Sequence, residues 1–198
     1  AAAQHDRCLI PLLSSWDSHH IRVSVKVHRS IQAANVLEDQ LGWRVAMPTI
    51  EELQASCDAG LHPQGSEGEQ PFCLLPFSHP IRRDDKRISG PLWTGPLFDQ
   101  NVLASMTVER AVALCGEMAE PAVRHWVDEA ELATVPSLII TDMLPKFCEV
   151  TGPPKIVELV TGLKEAGYKA AVARWGAPAI RTDAPWPIVL KTTEACFD

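Results

Sequence analysis

Basic residues are concentrated in two stretches that contain no acidic residue, although the chain has a formal net charge of -7 over 198 residues. Lys and Arg supply most of a protein's affinity for nucleic acid, because they displace counterions from phosphates. The distribution therefore predicts a basic face that contacts phosphates and an acidic face elsewhere. The six cations lie within residues 18–37 and 166–182, and they are Arg22, Lys26, Arg29, Lys169, Arg174 and Arg181. From charge alone, solvated faces of ordinary helices and strands remain the alternative.

Two of the six tryptophans flank the basic segment 180–185. An exposed indole beside an arginine could stack on an unpaired base, which makes Trp175 and Trp186 candidates for contact with a single-stranded nucleic acid. Burial in a core is the more frequent position of tryptophan and stays open as the alternative.

Motifs for other chemistries are missing from the sequence. There is no G-x-G-x-x-G turn for a dinucleotide or methyl donor, no phosphate loop and no G-x-S-x-G elbow. His19 and His20 are adjacent, so on a strand their side chains point to opposite faces and do not easily converge on one atom. An independent enzyme with a metal at these histidines is the weakest hypothesis that the residues leave open.

The six cysteines form no C-x-x-C pair and no other spelled-out metal motif. We therefore expect buried, reduced thiols and consider zinc unsupported. No run of residues is long and apolar enough for a membrane span, and no signal peptide is evident, so we expect no membrane partner and a cytoplasmic location. The opening residues are typical of a helix end, which suggests a portion of a longer polypeptide.

The elements that must position the cations begin with a strand. Apolar and polar residues alternate over residues 21–28, a pattern that predicts a strand with one buried face. The apolar stretch 9–15 favours a neighbouring strand and thus an antiparallel hairpin. Ser30 should cap a following helix that ends near Gly42, with a further strand at 44–47.

The sequence after residue 47 predicts mainly helices, with one irregular segment before them and one strand after them. Residues 57–89 contain many glycines and prolines and predict a long loop near a domain boundary. Asp99, Thr107 and Pro121 should begin three successive helices, residues 153–165 a fourth, and residues 168–174 a strand after Gly167. The fold class predicted is therefore α/β.

Four stretches resemble the tRNA guanine-N2 dimethyltransferase family, whose members methylate the guanine between the D-stem and the anticodon stem. The second stretch is the most specific, and the order and spacing of all four cover nearly the whole chain. They are DSHHIRVSVKV (17–27), GPLWTGPLFD (90–99), LKEAGYKA (163–170) and IRTDAP (180–185).

The resemblance implies an α/β layout in two parts. Residues 1–47 would be the final strands of a class I methyltransferase sheet, and residues 48–198 an α/β C-terminal tRNA-binding domain. It implies S-adenosyl-L-methionine as the methyl donor of the parent enzyme and tRNA as the partner. The donor-binding motifs and the catalytic loop of the family would lie upstream, so no catalytic or cofactor-binding residue is assigned and this portion alone is expected to be inactive.

Two departures from the family pattern bear on these expectations. Many relatives have paired cysteines before the GPLWTGPL block, whereas this chain has only Cys57 and Cys73, which again argues against zinc. Phe98 stands where relatives often have histidine. The alternative function is a protein-interaction module without catalytic activity, in which acidic helices in residues 109–131 bind a partner and only the fold is inherited.

Overall fold

The computed structural model describes residues 3–17, 19–63, 71–173 and 176–197. These residues form seven α-helices and three separate antiparallel sheets, which confirms a mixed α/β class. Short 3-10 helices at Ala3–His5, Leu37–Gln40, Glu117–Ala119, Ala130–Leu132 and Thr141–Lys146 connect the larger elements. None of the helices in these residues is long and apolar enough to span a bilayer.

A two-stranded hairpin opens the chain, as predicted. Strand β1 (Arg7–Asp17) pairs with β2 (His20–Arg29), and the register shifts between Pro11 and Leu13. Every residue of β2 is exposed, including the apolar Ile21 at 69%. The prediction of one buried face is therefore wrong for β2, because the described residues leave Ile21, Val23 and Val27 more than half exposed.

The helix after the hairpin is shorter than predicted. Ser30 caps α1 (Ile31–Asn35) as expected, with its Oγ accepting a hydrogen bond from the Ala33 N–H at 3.2 Å. Gly42, however, does not end a helix: it lies in β3 (Leu41–Ala46). A Cβ at this position would lie 2.5 Å from the Leu75 carbonyl oxygen, so the neighbouring strand can approach only a glycine here.

The second sheet contains β3 between β4 (Phe72–Pro76) and β5 (Ile88–Trp93). Helix α2 (Ile50–Asp58), begun by a capping box of Thr49 and Glu52, packs on the face that carries a core of three buried residues. That core consists of Val45, Cys73 and Leu75.

The second sheet bears on two sequence-based expectations. It joins residues on both sides of residue 47, the predicted boundary, because β3 pairs with β4 and β5. The predicted irregular loop 57–89 contains β4 and the start of β5, while residues 64–70 lie outside the described residues.

Three helices form the layer next to the hairpin. They are α3 (Gln100–Ser105), α4 (Val108–Cys115) and α5 (Glu120–Asp128). The predicted starts are confirmed: the Asp99 carboxylate accepts hydrogen bonds from two backbone N–H groups, the Thr107 hydroxyl accepts one, and Pro121 lies in the first turn of α5.

The third sheet carries the largest core. Strand β8 (Ala179–Thr182) lies between β6 (Ile139–Ile140) and β7 (Ala170–Ala173), and α6 (Ile156–Glu165) and α7 (Trp186–Ala195) pack against it. The helix predicted at 153–165 and the strand after Gly167 are both present, and Gly167 adopts a φ of +90°.

Candidate nucleic-acid interface

The hairpin presents the best-placed cations of the molecule. Arg22, Lys26 and Arg29 are exposed on β2, as a phosphate-contacting surface requires, and Arg7 lies directly opposite Arg29 in the pairing of β1 with β2. We call these four residues the hairpin cations. In the part of the chain that the structure describes, none of them pairs with a carboxylate, so their charge is available to an external anion.

Register determines how the hairpin cations are grouped. Arg22 and Lys26 are four residues apart on one strand, so they share a face of the ribbon. Arg7 and Arg29 share the other face at the open end, where directly opposed like charges destabilise a hairpin unless an anion lies between them. Arg7 was not among the cations predicted from the sequence, because the acidic Asp6 precedes it and the prediction rested on stretches without acidic residues. Pairing residues 9–15 with residues 21–27 as a hairpin would have placed Arg7 opposite Arg29.

Arg181 is not at the surface, which corrects the prediction for this residue. It is 2% exposed, and its Nε donates to a carboxylate oxygen of the equally buried Glu129 at 2.9 Å. Its Nη1 donates to the backbone carbonyls of Val135 and Ser137, and its guanidinium lies 5.3 Å from the centre of the Phe98 ring. Arg181 therefore links β8 to the end of α5 and cannot contact a phosphate without leaving the core.

Lys169, also a predicted cation, does not extend the hairpin surface. Lys169 is half-exposed just before β7, with its Nζ 4.0 Å from Glu131. The other end of β7 is close to Gly176, where an added Cβ would lie 3.2 Å from the Trp16 ring at the hairpin tip, so Lys169 and the tip lie at opposite ends of that strand. Arg174 lies outside the described residues.

Tryptophans other than the predicted pair line the space beside the hairpin tip. Trp186 instead packs on the α6–α7 core, with the Phe147 ring edge-on at 5.3 Å, and Trp175 lies outside the described residues. Two adjoining cavities of about 450 and 220 Å³ separate the tip from α5, and Ser15, Trp16 and Trp126 line both. No local pattern could have predicted this groove, since Trp16 and Trp126 are more than 100 residues apart.

A buried histidine connects three segments near the third sheet. His62 Nε2 lies 2.9 Å from the Ala184 carbonyl oxygen, which can only accept, so this nitrogen carries the proton. Nδ1 then accepts from the Ser137 hydroxyl at 3.2 Å. Burial lowers the pKa of His62 and outweighs the opposing effect of the Ala184 carbonyl, so the neutral ring is favoured.

Metal chemistry has no support from the described residues. They contain no cluster of three or more histidine, cysteine or acidic side chains that could hold a metal ion. His19 and His20 are both exposed at the hairpin tip. Burial, followed by the nearby Glu52 and Cys57, raises the pKa of Cys73 to about 12, which keeps this thiol protonated.

The described residues do not fit S-adenosyl-L-methionine either. Such a donor binds where a glycine-rich turn follows a strand of a parallel sheet. All strand pairs here are antiparallel, and the sequence contains no G-x-G-x-x-G turn.

Comparison with known proteins gives a consistent result over almost the whole chain. The family model described as N2,N2-dimethylguanosine tRNA methyltransferase matches residues 1–194. The tRNA (guanine(26)-N(2))-dimethyltransferase of Aeropyrum pernix is 29% identical over 197 residues, which cover 96% of this chain and 44% of that protein. The enzyme of the same description from Methanocorpusculum labreanum is 28% identical, with 94% and 45% covered.

A solved structure shares the fold. Trm1 from Pyrococcus horikoshii, determined in complex with S-adenosyl-L-methionine, superposes with a TM-score of 0.68 at 21% identity. The match covers 96% of this chain and 45% of that one. The chain thus spans less than half the length of these relatives.

Proposed function

We propose that this chain, which belongs to the N2,N2-dimethylguanosine tRNA methyltransferase family, binds tRNA and orients it for methylation of guanine 26. In this proposal it is the C-terminal portion of an enzyme that uses S-adenosyl-L-methionine. The observation that carries the proposal is the set of hairpin cations, which are exposed and have no carboxylate partner among the described residues. Such cations bind a phosphate backbone by releasing its counterions.

The hairpin also supports a role for residues 7–29 as the last strands of the catalytic sheet. An isolated two-stranded sheet is marginally stable in water, and β2 leaves Ile21, Val23 and Val27 more than half exposed. An apolar strand face of this kind is normally covered by another layer. Because β3 groups with the later strands, we place the end of this part before residue 41 rather than at 47.

The methyl donor and the transfer step are assigned to the other part of the enzyme. The described residues provide no site that fits the donor, and we assign no catalytic residue to them. This chain alone should therefore be inactive, and its contribution to the reaction is to hold the RNA in a fixed position, which lowers the entropy cost of reaching the reacting geometry.

Salt-dependent binding of an unmodified tRNA transcript tests the proposal. The double variant Arg22→Gln, Lys26→Gln should weaken binding and reduce the slope of log affinity against log salt by about two, since each lost phosphate contact removes about one. The matched control is Arg83→Gln, Lys86→Gln, which removes the same charge from two exposed cations of the β4–β5 connection. The control should leave the slope unchanged.

The result contradicts the proposal if the chain does not bind the transcript, or if both double variants reduce the slope equally. An equal reduction would mean that net charge alone sets the affinity and that the hairpin has no special role.

A protein-interaction module is the second candidate, and one observation favours it. Leu114, near the end of α4, and Met118, between α4 and α5, are 80% and 92% exposed, next to several acidic residues. Exposed apolar side chains with a polar rim are typical of protein contacts. Gel shift with folded tRNA distinguishes the candidates, since a pure interaction module would not bind RNA.

A further inference from the structure

The groove between the hairpin tip and α5 combines apolar walls with a cation at its rim. Trp126 on α5 and Trp16 on β1 are both partly buried and form its apolar walls. Arg22, a hairpin cation, lies at the same cavity with its side chain exposed. The adjoining cavity, whose lining is mostly apolar, also reaches the buried pair of Arg181 and Glu129.

We propose that this groove receives one unpaired nucleotide of the bound RNA, with the base on the Trp126 indole and its phosphate on Arg22. The inference rests on the proposed function, because it assumes that RNA binds the hairpin. Indole faces stack on any base, and the two groups of a nucleotide match the two kinds of wall.

Charge decides between a nucleotide and an apolar peptide segment as the occupant. An apolar segment in the groove would remove water from Arg22 without supplying an anion, and burying an unpaired charge is costly. A phosphate supplies that anion at the rim. The groove therefore favours a ligand with an aromatic ring and a negative charge a short distance apart.

The unpaired state of the nucleotide follows from the geometry of stacking. In a duplex each base is stacked between its neighbours and paired on its Watson–Crick edge, so it cannot lie on a protein side chain. A base that has left the stack exposes both faces. The groove should consequently distinguish single-stranded RNA from duplex RNA without reading sequence.

The inference is tested by measuring the affinity of the chain for an unmodified tRNA transcript across a KCl series. Trp126→Ala should lower affinity between about five-fold and a hundred-fold, which is the usual range for one stacked base, and should leave the salt slope unchanged because stacking involves no counterion. Trp126→Phe retains an aromatic face and should recover most of the affinity. Arg22→Gln should reduce the salt slope by about one.

A control is needed because Trp126 also packs on the cluster of Phe98 and Leu103. Val123→Ala removes a buried side chain from the same helix without changing the groove, and the melting temperature of every variant is measured alongside its affinity. If Val123→Ala loses as much affinity as Trp126→Ala at a similar loss of stability, the effect is structural and the inference is wrong.

Quenching of tryptophan fluorescence provides a measurement that does not depend on folding of the alanine variant. Hexauridylate should quench the wild-type chain, a blunt RNA duplex should not, and Trp126→Phe should remove most of the quench. If wild-type chain binds the transcript but Trp126→Ala binds it equally well, the groove inference fails and the proposed function stands. If the wild-type chain does not bind the transcript, the proposed function itself fails.

Discussion

Replacing Glu129 by glutamine should destabilise the fold strongly, because it leaves the Arg181 guanidinium charged and buried. The two side chains are each 3% exposed, and the Arg181 Nε lies 2.9 Å from the Glu129 carboxylate. Glutamine has nearly the same shape and can still accept this hydrogen bond. The substitution therefore removes the compensating charge while it preserves packing, and the Val135 and Ser137 carbonyls continue to hold the guanidinium in the core.

The size of the effect follows from the burial of both groups. Removing one partner of a buried ion pair costs about 3–5 kcal/mol. With an m-value of about 2 kcal/mol per molar urea, the unfolding midpoint should fall by about 1.5–2.5 M. A domain of ordinary stability has only about 5–15 kcal/mol in total, so the variant should lose a large fraction of its stability.

Urea unfolding followed by circular dichroism measures the prediction, with Glu131→Gln as the matched control. Glu131 is 76% exposed and lies 4.0 Å from the Lys169 Nζ, so its loss should cost less than about 1 kcal/mol. The double variant Glu129→Leu, Arg181→Met should be more stable than Glu129→Gln, since it removes both charges together. If Glu129→Gln unfolds at the same urea concentration as the control, the Glu129 carboxylate does not stabilise the buried guanidinium and the prediction is wrong.

Two further predictions concern His62 and Gly42. Burial holds the pKa of His62 below its unfolded value of about 6.5, so the contribution of His62 to the free energy of unfolding should be complete above that pH and decrease as the pH falls towards the folded-state pKa. Urea unfolding between pH 7.5 and 5 should show this decrease, and His62→Phe should make it smaller. Gly42→Ala should cost about 1–3 kcal/mol, because the new methyl would lie 2.5 Å from the Leu75 carbonyl oxygen, whereas Gly152→Ala, with no atom within 4 Å of its Cβ, should leave the melting temperature nearly unchanged.

Local signals in the sequence predicted local structure well. Ser30, Asp99 and Thr107 begin helices where expected, because a capping side chain bonds to a backbone N–H only two or three residues ahead. The alternation in β2 likewise gave a strand and its hairpin partner. These features depend on residues close in the chain, so one sequence is sufficient to identify them.

Whether a side chain is buried or exposed could not be predicted in the same way. Arg181 has the type and surroundings of a surface cation, but its partner Glu129 is 52 residues away, and nothing in the local pattern shows that the two meet. The opposite error occurred at β2, where alternation indicated a buried face that the described residues leave exposed. Strand β4 was missed because it is five residues long and ends in Pro76, within a stretch rich in glycine and proline.

The hairpin's limited support has a consequence for RNA binding. Its main attachments to the helical layer are on β1, where Leu13 packs on the cluster of Phe98 and Leu103 and the Leu12 carbonyl accepts a hydrogen bond from the Asp99 N–H at 3.1 Å. Strand β2, which carries three of the four hairpin cations, is held chiefly by β1. The positions of these cations are therefore only as fixed as the pairing of the two strands.

A layer that covers the apolar face of β2 would fix this pairing without contacting the RNA. Fixing side chains in their bound arrangement before the ligand arrives lowers the entropy cost of binding, so such a cover should raise tRNA affinity. If residues 7–29 complete the catalytic sheet, the part of the enzyme that transfers the methyl group also sets the geometry of the surface that holds its substrate. Under the proposed function, binding and catalysis would then be coupled through the exposed valines of β2.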